Sequence, residues 1–140
     1  MPVTGRHTPK PGAEKIDINE AYRYLAAKEE EAACRAEEKR RAALAALRRA
    51  LAEVAPGFAV EKIYLYGSLL SAGRWRHGSD IDLAVEGDLG FEEMLCFWCE
   101  LDRRLPYEVD LKKLGGLSFA EKIKREGLII YERKNTSAVK

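Results

Sequence analysis

Read for its apolar spacing, the chain changes character at Pro56-Gly57. Before that point, from about Asp17 to Val54, neither Pro nor Gly interrupts a stretch dominated by Ala, Glu, Arg, Lys and Leu, all strong helix formers. Asp17 followed by Glu20 resembles a capping box, which places the helix start there. In the second half of the stretch Leu44, Leu47, Leu51 and Val54 recur at helical spacing and predict one face packed on a core. The first half offers only Tyr22, Tyr24, Leu25 and alanines against a dense Lys/Glu background, so its burial is weaker. Unbroken, such a helix runs about 55 Å, longer than a domain this small is wide, so it must bend or protrude.

After Pro56-Gly57 the period changes, and short β-branched and aromatic runs alternate with helical ones. Lys62 to Tyr66 (KIYLY) predicts a first strand and Asp80 to Val85 (DIDLAV) a second. Gly90 to Leu105 carries Phe91, Leu95, Trp98, Leu101 and Leu105 at helical intervals and is stopped by Pro106. Tyr107 to Leu111 predicts a third strand, Ser118 to Arg125 a short helix ended by Gly127, and Leu128 to Tyr131 a fourth strand. The fold class is α/β (α+β), in the order helix, strand, turn, strand, helix, strand, helix, strand. The expected organisation is a flexible tail over 1–16, a helical extension over 17–44, a compact domain over 45–132 and a tail over 133–140.

At 140 residues the chain suits one core rather than two, so one functional site is expected. With 24 Lys+Arg against 23 Asp+Glu, the charge balance gives no global pull toward nucleic acid or an anionic membrane. No run approaches the roughly 20 apolar residues of a membrane span, and no signal-peptide core follows the polar start. Three cysteines, without export signals, read as free thiols in a reducing compartment, and the expected location is cytoplasmic.

The chemistry concentrates in the strands. Alternation puts Asp80 and Asp82 on one face and Ile81, Leu83 and Val85 on the other, toward the core. Carboxylates at i and i+2 on a sheet repel, and a bound cation is the simplest compensation; Mg²⁺, which takes oxygen ligands and shares them with substrate phosphates, fits best. Asp110 has the same outward parity in the third strand and joins the pair if the strands are neighbours, with Glu108 a weaker candidate. Gly67-Ser68 follows the first strand at once and leads into a short helical turn. Its glycine admits close backbone approach, and its amides and hydroxyl suit a phosphate. Metal and phosphate sites facing each other are what phosphoryl or nucleotidyl transfer requires.

Gly67-Ser68, eleven residues, Asp80-Ile81-Asp82 and then a strand-borne Asp110 together resemble the nucleotidyltransferase superfamily that includes DNA polymerase β. The nearest likeness is to the minimal nucleotidyltransferases, stand-alone domains often paired with HEPN-type toxins, over about residues 45 to 132. YLYGS, GSDIDLAVEG, EVDL and REGLIIYE all fit that pattern. The resemblance implies a small mixed sheet of about four strands flanked by helices. It implies that Asp80, Asp82 and Asp110 are catalytic and ligate two Mg²⁺ ions, that Asp110 helps activate the acceptor hydroxyl, and that Gly67 and Ser68 bind the triphosphate of ATP. It further implies an antitoxin that transfers AMP to a hydroxyl of a HEPN-type protein partner. The short Ala-Arg-Gly of many relatives is replaced by Ser71-Ala72-Gly73, with Arg74 and Arg76 further along, and residues 1 to about 44 are an extension the family does not explain.

Two other classes stand beside this reading. One is a non-catalytic antitoxin or nucleotide-binding module that neutralises its partner by occlusion. The other is a small-molecule or RNA nucleotidyltransferase that borrows its acceptor site from another subunit. Elsewhere, Cys96-x-x-Cys99 lacks the two further ligands zinc needs and reads as core or boundary thiols. His77 reads as a solvated loop residue that could reach a phosphate or base. Arg74, Trp75 and Arg76 form either a clamp for a nucleotide or acceptor, or a surface hairpin tip. The long alanine-rich helix suits pairing with a second copy or with a partner helix.

Overall fold

Asp17 starts the first helix as its spacing predicts: its carboxylate accepts the Asn19 amide at 3.1 Å and its carbonyl accepts the Ala21 amide at 3.0 Å. Helix α1 then runs as one element over Ile18–Val54 in the computed structural model, which describes residues 17–76 and 78–134. The expected tail over 1–16, most of the one over 133–140, and His77 lie outside the described residues. Contacts divide the chain into two units, one up to Arg35 and one from Ala36 onward. In the first, Ile18, Tyr22, Tyr24 and Leu25 are exposed, and the Lys28 ammonium lies 5.5 Å from the centre of the Tyr24 ring.

The second unit is built on a four-stranded mixed sheet in the order β3-β2-β1-β4, from β1 (Val60–Tyr66), β2 (Ile81–Gly87), β3 (Val109–Lys113) and β4 (Leu128–Glu132). β1 pairs antiparallel with both β2 and β4, whereas β2 and β3 are parallel. The parallel pair needs a crossover, supplied by α2 (Phe91–Arg104), and α3 (Ala120–Glu126) returns the chain to β4. α2 begins where the Glu93 carboxylate accepts the Gly90 amide at 3.0 Å.

Odd-numbered positions of the central strands (Ile63, Leu65, Ile81, Leu83, Val85) join Leu47 and Leu51 of α1 and Phe97 and Leu101 of α2 in the main core. On the opposite face Tyr64 and Ala84 pack with Leu114 and Ile123 in a second, smaller cluster that alternation alone did not reveal. Along α1, Ala43 and Ala50 share the buried face with Leu47, Leu51 and Val54, while Leu44 is half-buried at its margin. No helix among the described residues is long and apolar enough to cross a membrane.

One helix face differs from expectation. Phe91 and Leu95 are 81% and 50% exposed, and the inward residues of α2 are Met94, Phe97, Trp98 and Leu101. At about 100° per residue, Leu95 lies roughly 200° from Phe97, so one stripe cannot bury both, and the bulkier Phe97-Leu101 pair takes the core. Cys96 and Cys99, read as core or boundary thiols, are exposed on this outer side, as Cys34 is on α1. Replacing Phe97 with Ala should therefore cost about 3–5 kcal/mol in urea unfolding. Phe91→Ala should stay within about 0.5 kcal/mol. Equal costs for the two would contradict this register.

Candidate active site

Strand register brings three polar side chains abreast. Tyr66 at the end of β1 pairs with Asp82, and Asp82 pairs across the parallel ladder with Asp110. All three share the parity of Tyr64 and Ala84, opposite the main core. The entry to this ladder is fixed on both strands: the Ile81 amide donates to the Glu108 carbonyl at 2.8 Å, and the Trp98 indole N–H donates to the Val109 carbonyl at 2.9 Å. Asp80 is exposed and stands just ahead of Ile81, where β2 begins, not within the strand as the alternation suggested. Glu108 likewise lies before β3 and is exposed.

Gly67 closes the site from the β1 side. Its backbone, at φ 85° and ψ −157°, lies in a region that residues with a side chain rarely adopt. A Cβ there would sit 2.2 Å from the Asp82 Oδ2 atom and 3.1 Å from its Cγ. Any other residue would thus strain the backbone and displace the Asp82 carboxylate together. The chain then turns through a 3-10 turn, Ser68–Leu70, closed by the Leu70 amide on the Gly67 carbonyl (3.1 Å) and the Ser71 amide on the Ser68 carbonyl (3.2 Å). Leu69 is fully buried and anchors the turn in the core, while Ser68 is half-buried beside it.

Electrostatics single out Asp82. Burial, and then the charges of Asp110 and Asp80, raise its pKa above the usual carboxylate value, with Lys112 opposing. The Lys112 ammonium lies 2.6 Å from the Asp110 Oδ2 atom, and that hydrogen bond raises the lysine pKa. The Tyr66 phenol is also held above its ordinary pKa, chiefly by burial; the two carboxylates reinforce the shift and Lys112 opposes it. Sequence reading passed over Tyr66 and Lys112, although both share the outward parity of the aspartates. The signal was the i+2 relation of Lys112 to Asp110 and the position of Tyr66 immediately before Gly67.

These residues suit a hard divalent cation. The donors are carboxylate oxygens, two of them drawn together against repulsion, and the missing side chain of Gly67 leaves their approach open. Among the described residues, no three His, Cys, Asp or Glu side chains are already gathered into a metal-holding group, and Asp110 is engaged by Lys112 instead. The segment from Ser71 to Asp80 resolves the reading of Arg74-Trp75-Arg76. Trp75 is buried edge-on to Tyr107, 5.8 Å between ring centres, so of the three side chains it serves as an anchor while Arg74 and Arg76 are exposed.

The Asp82 shift has a definite sign. Because the folded chain favours its protonated form, stability falls as pH rises from the unfolded carboxylate pKa through the higher folded one. In chelator-treated protein Asp82→Asn should raise the melting temperature by a few degrees at pH 7, with the gain vanishing below the carboxylate range. A lower melting temperature for the variant at pH 7 would contradict this.

The family model described as polymerase beta, nucleotidyltransferase matches residues 50–136. That span holds both halves of the site, from the Gly67 turn to Asp110. No curated protein matches significantly. Among solved structures, the chain resembles a toxin-antitoxin crystallised with AMP-PNP at 21% identity and TM-score 0.51, covering 66% of this chain and 78% of that one. It also resembles a mutant of the toxin-antitoxin MntA-HpeT at 22% identity and TM-score 0.48, covering 65% and 74% respectively. The match over residues 50–136, more than half of the chain and including the Gly67 turn and the paired Asp82 and Asp110, makes this chain a member of the polymerase β nucleotidyltransferase family.

Proposed function

We propose that this domain transfers AMP from ATP to a hydroxyl group of a protein partner and releases pyrophosphate, as the antitoxin of a HEPN-type toxin. The observation that carries the reading is the close approach of Gly67 to Asp82 at the end of the sheet where Asp82 and Asp110 pair. A turn with exposed donors beside a carboxylate pair is the arrangement that nucleotidyl transfer uses. The fold neighbour crystallised with AMP-PNP is a toxin-antitoxin, which supports both the nucleotide and the kind of partner.

In this reading the Gly67 and Ser68 amides and the Ser68 hydroxyl receive the triphosphate, with Arg74 and Arg76 exposed on the following loop. Asp80, Asp82 and Asp110 would hold two Mg²⁺ ions, which when bound would supply Lewis-acid stabilisation of the phosphate charge. Asp110 accepts the proton of the acceptor hydroxyl as its oxygen bonds to the α-phosphorus. The bond from that phosphorus to the α,β-bridging oxygen breaks, and pyrophosphate leaves with the electron pair. Residues 45–132 are the transferase domain of this proposal, residues 17–44 are an extension whose exposed first part, up to Arg35, is available to a partner or a second copy, and the compartment is the cytoplasm.

The test is incubation of the protein with Mg²⁺, labelled ATP and a HEPN-type partner, followed by intact mass analysis. The partner should gain one or more AMP units in a metal-dependent way, and the Asp80→Asn/Asp82→Asn variant should lose at least a hundredfold in rate. Tight ATP binding and a stable partner complex without any adduct would instead indicate neutralisation by occlusion.

A further inference from the structure

The turn that follows Gly67 is held from outside the family-matched span. Arg40, on α1 and ten residues ahead of that span, donates through Nη2 to the Leu70 carbonyl at 3.1 Å. Its Nη1 donates to Glu37 Oε2 at 3.2 Å, and Arg41 Nε donates to the same oxygen at 3.1 Å. The Arg40 side chain is only 16% exposed. Among the described residues, Arg40 Nε and Glu37 Oε1 are buried with no hydrogen-bond partner.

Such an arrangement is poorly explained by stability alone. A half-buried guanidinium whose Nε is buried without a partner is an expensive way to fill a seam between a helix and a turn, and an unbranched apolar side chain of similar length would fill it more cheaply. What an apolar residue cannot do is fix the direction of the Leu70 carbonyl. That carbonyl ends the Ser68–Leu70 turn, which Gly67 opens beside Asp82 and which the Ser71 amide closes on the Ser68 carbonyl, so a bond to it holds the end of the turn in place.

We propose that Arg40 is a positioning residue for nucleotide binding: held by Glu37, it pins the Leu70 carbonyl and preorganises the Gly67–Leu70 turn for a triphosphate. The nucleotide part of this inference rests on the function proposed above; the pinning of the turn does not. Preorganisation lowers the ordering cost of binding, so its loss appears in affinity rather than in the chemical step.

Arg40→Met keeps length and removes the donor; Arg40→Lys keeps a cation able to reach a carbonyl. For Arg40→Met, the Kd for ATP with Mg²⁺ by calorimetry should rise about tenfold, as should KM for ATP, with kcat within about twofold of wild type. Arg40→Lys should recover most of that loss, and the melting temperature of both variants should stay near wild type. Wild-type ATP affinity and KM in Arg40→Met would overturn the proposal. Amide hydrogen exchange without nucleotide separates the two layers. At Leu70 and Ser71, Arg40→Met should exchange about tenfold faster while β1 and β2 amides are unchanged. Unchanged exchange at the turn would overturn the pinning whether or not the protein binds ATP, whereas wild-type protein that binds no ATP would overturn the functional reading and the nucleotide part of this inference with it.

Discussion

Two carboxylates stand in direct register on neighbouring parallel strands, one of them against a glycine with no room for a side chain, and much of the rest of the molecule serves to keep them there. Asp82 and Asp110 repel, and burial adds to the penalty on Asp82. Their separation is nevertheless set by the β2–β3 ladder, which neither side chain can relax alone. The ladder is parallel, so it depends on α2 as its crossover, and α2 is fixed by Phe97 and Leu101 in the core and by the Trp98 hydrogen bond to Val109. Ile81, Leu83 and Val85 hold β2 from behind, so the main core's burial carries the electrostatic cost at the strand end. Lys112 offsets part of that cost, and its position two residues beyond Asp110 follows from the same pleat.

Much of this was legible because it is periodic. The element order and the outward parity of Asp82 and Asp110 follow from alternation, whereas the left-handed backbone of Gly67 and its approach to Asp82 appear only in the structure. What periodicity does not encode is which stripe of an amphipathic helix wins. Phe91 and Leu95 looked as inward as Leu101, and only three-dimensional packing decides for Phe97. Alternation also suggests that one sheet face is core and the other free, whereas Tyr64 and Ala84 find a second apolar cluster under α3. Trp75, between two arginines, reads as a surface residue until Tyr107 appears beside it. Lys112 was passed over because the third strand was read as ending at Leu111; the strand runs on to Lys113 and puts Lys112 on the same face as Asp110, two residues away.

The second half of α1 belongs physically to the unit that carries the site, since Ala43, Leu47, Ala50, Leu51 and Val54 are buried in its core. Residues ahead of the family-matched span therefore do more than precede the domain. They supply one wall of the core and, through Arg40, a hydrogen bond to the turn beside Gly67. A boundary drawn by family resemblance alone leaves out side chains on which the site's shape depends.

In the proposed function the Gly67 turn, Asp82 and Asp110 form one nucleotide-binding centre, which paramagnetic broadening of backbone amide resonances on titration with Mn²⁺ and ATP together would locate. Amides of Gly67–Leu70, Asp82 and Asp110 should broaden first, while those at the far ends of the strands, Val60 and Gly87, should persist to much higher metal concentration. Broadening centred instead on the acidic loop at Glu86 and Asp88, with the Gly67 turn unaffected, would contradict it.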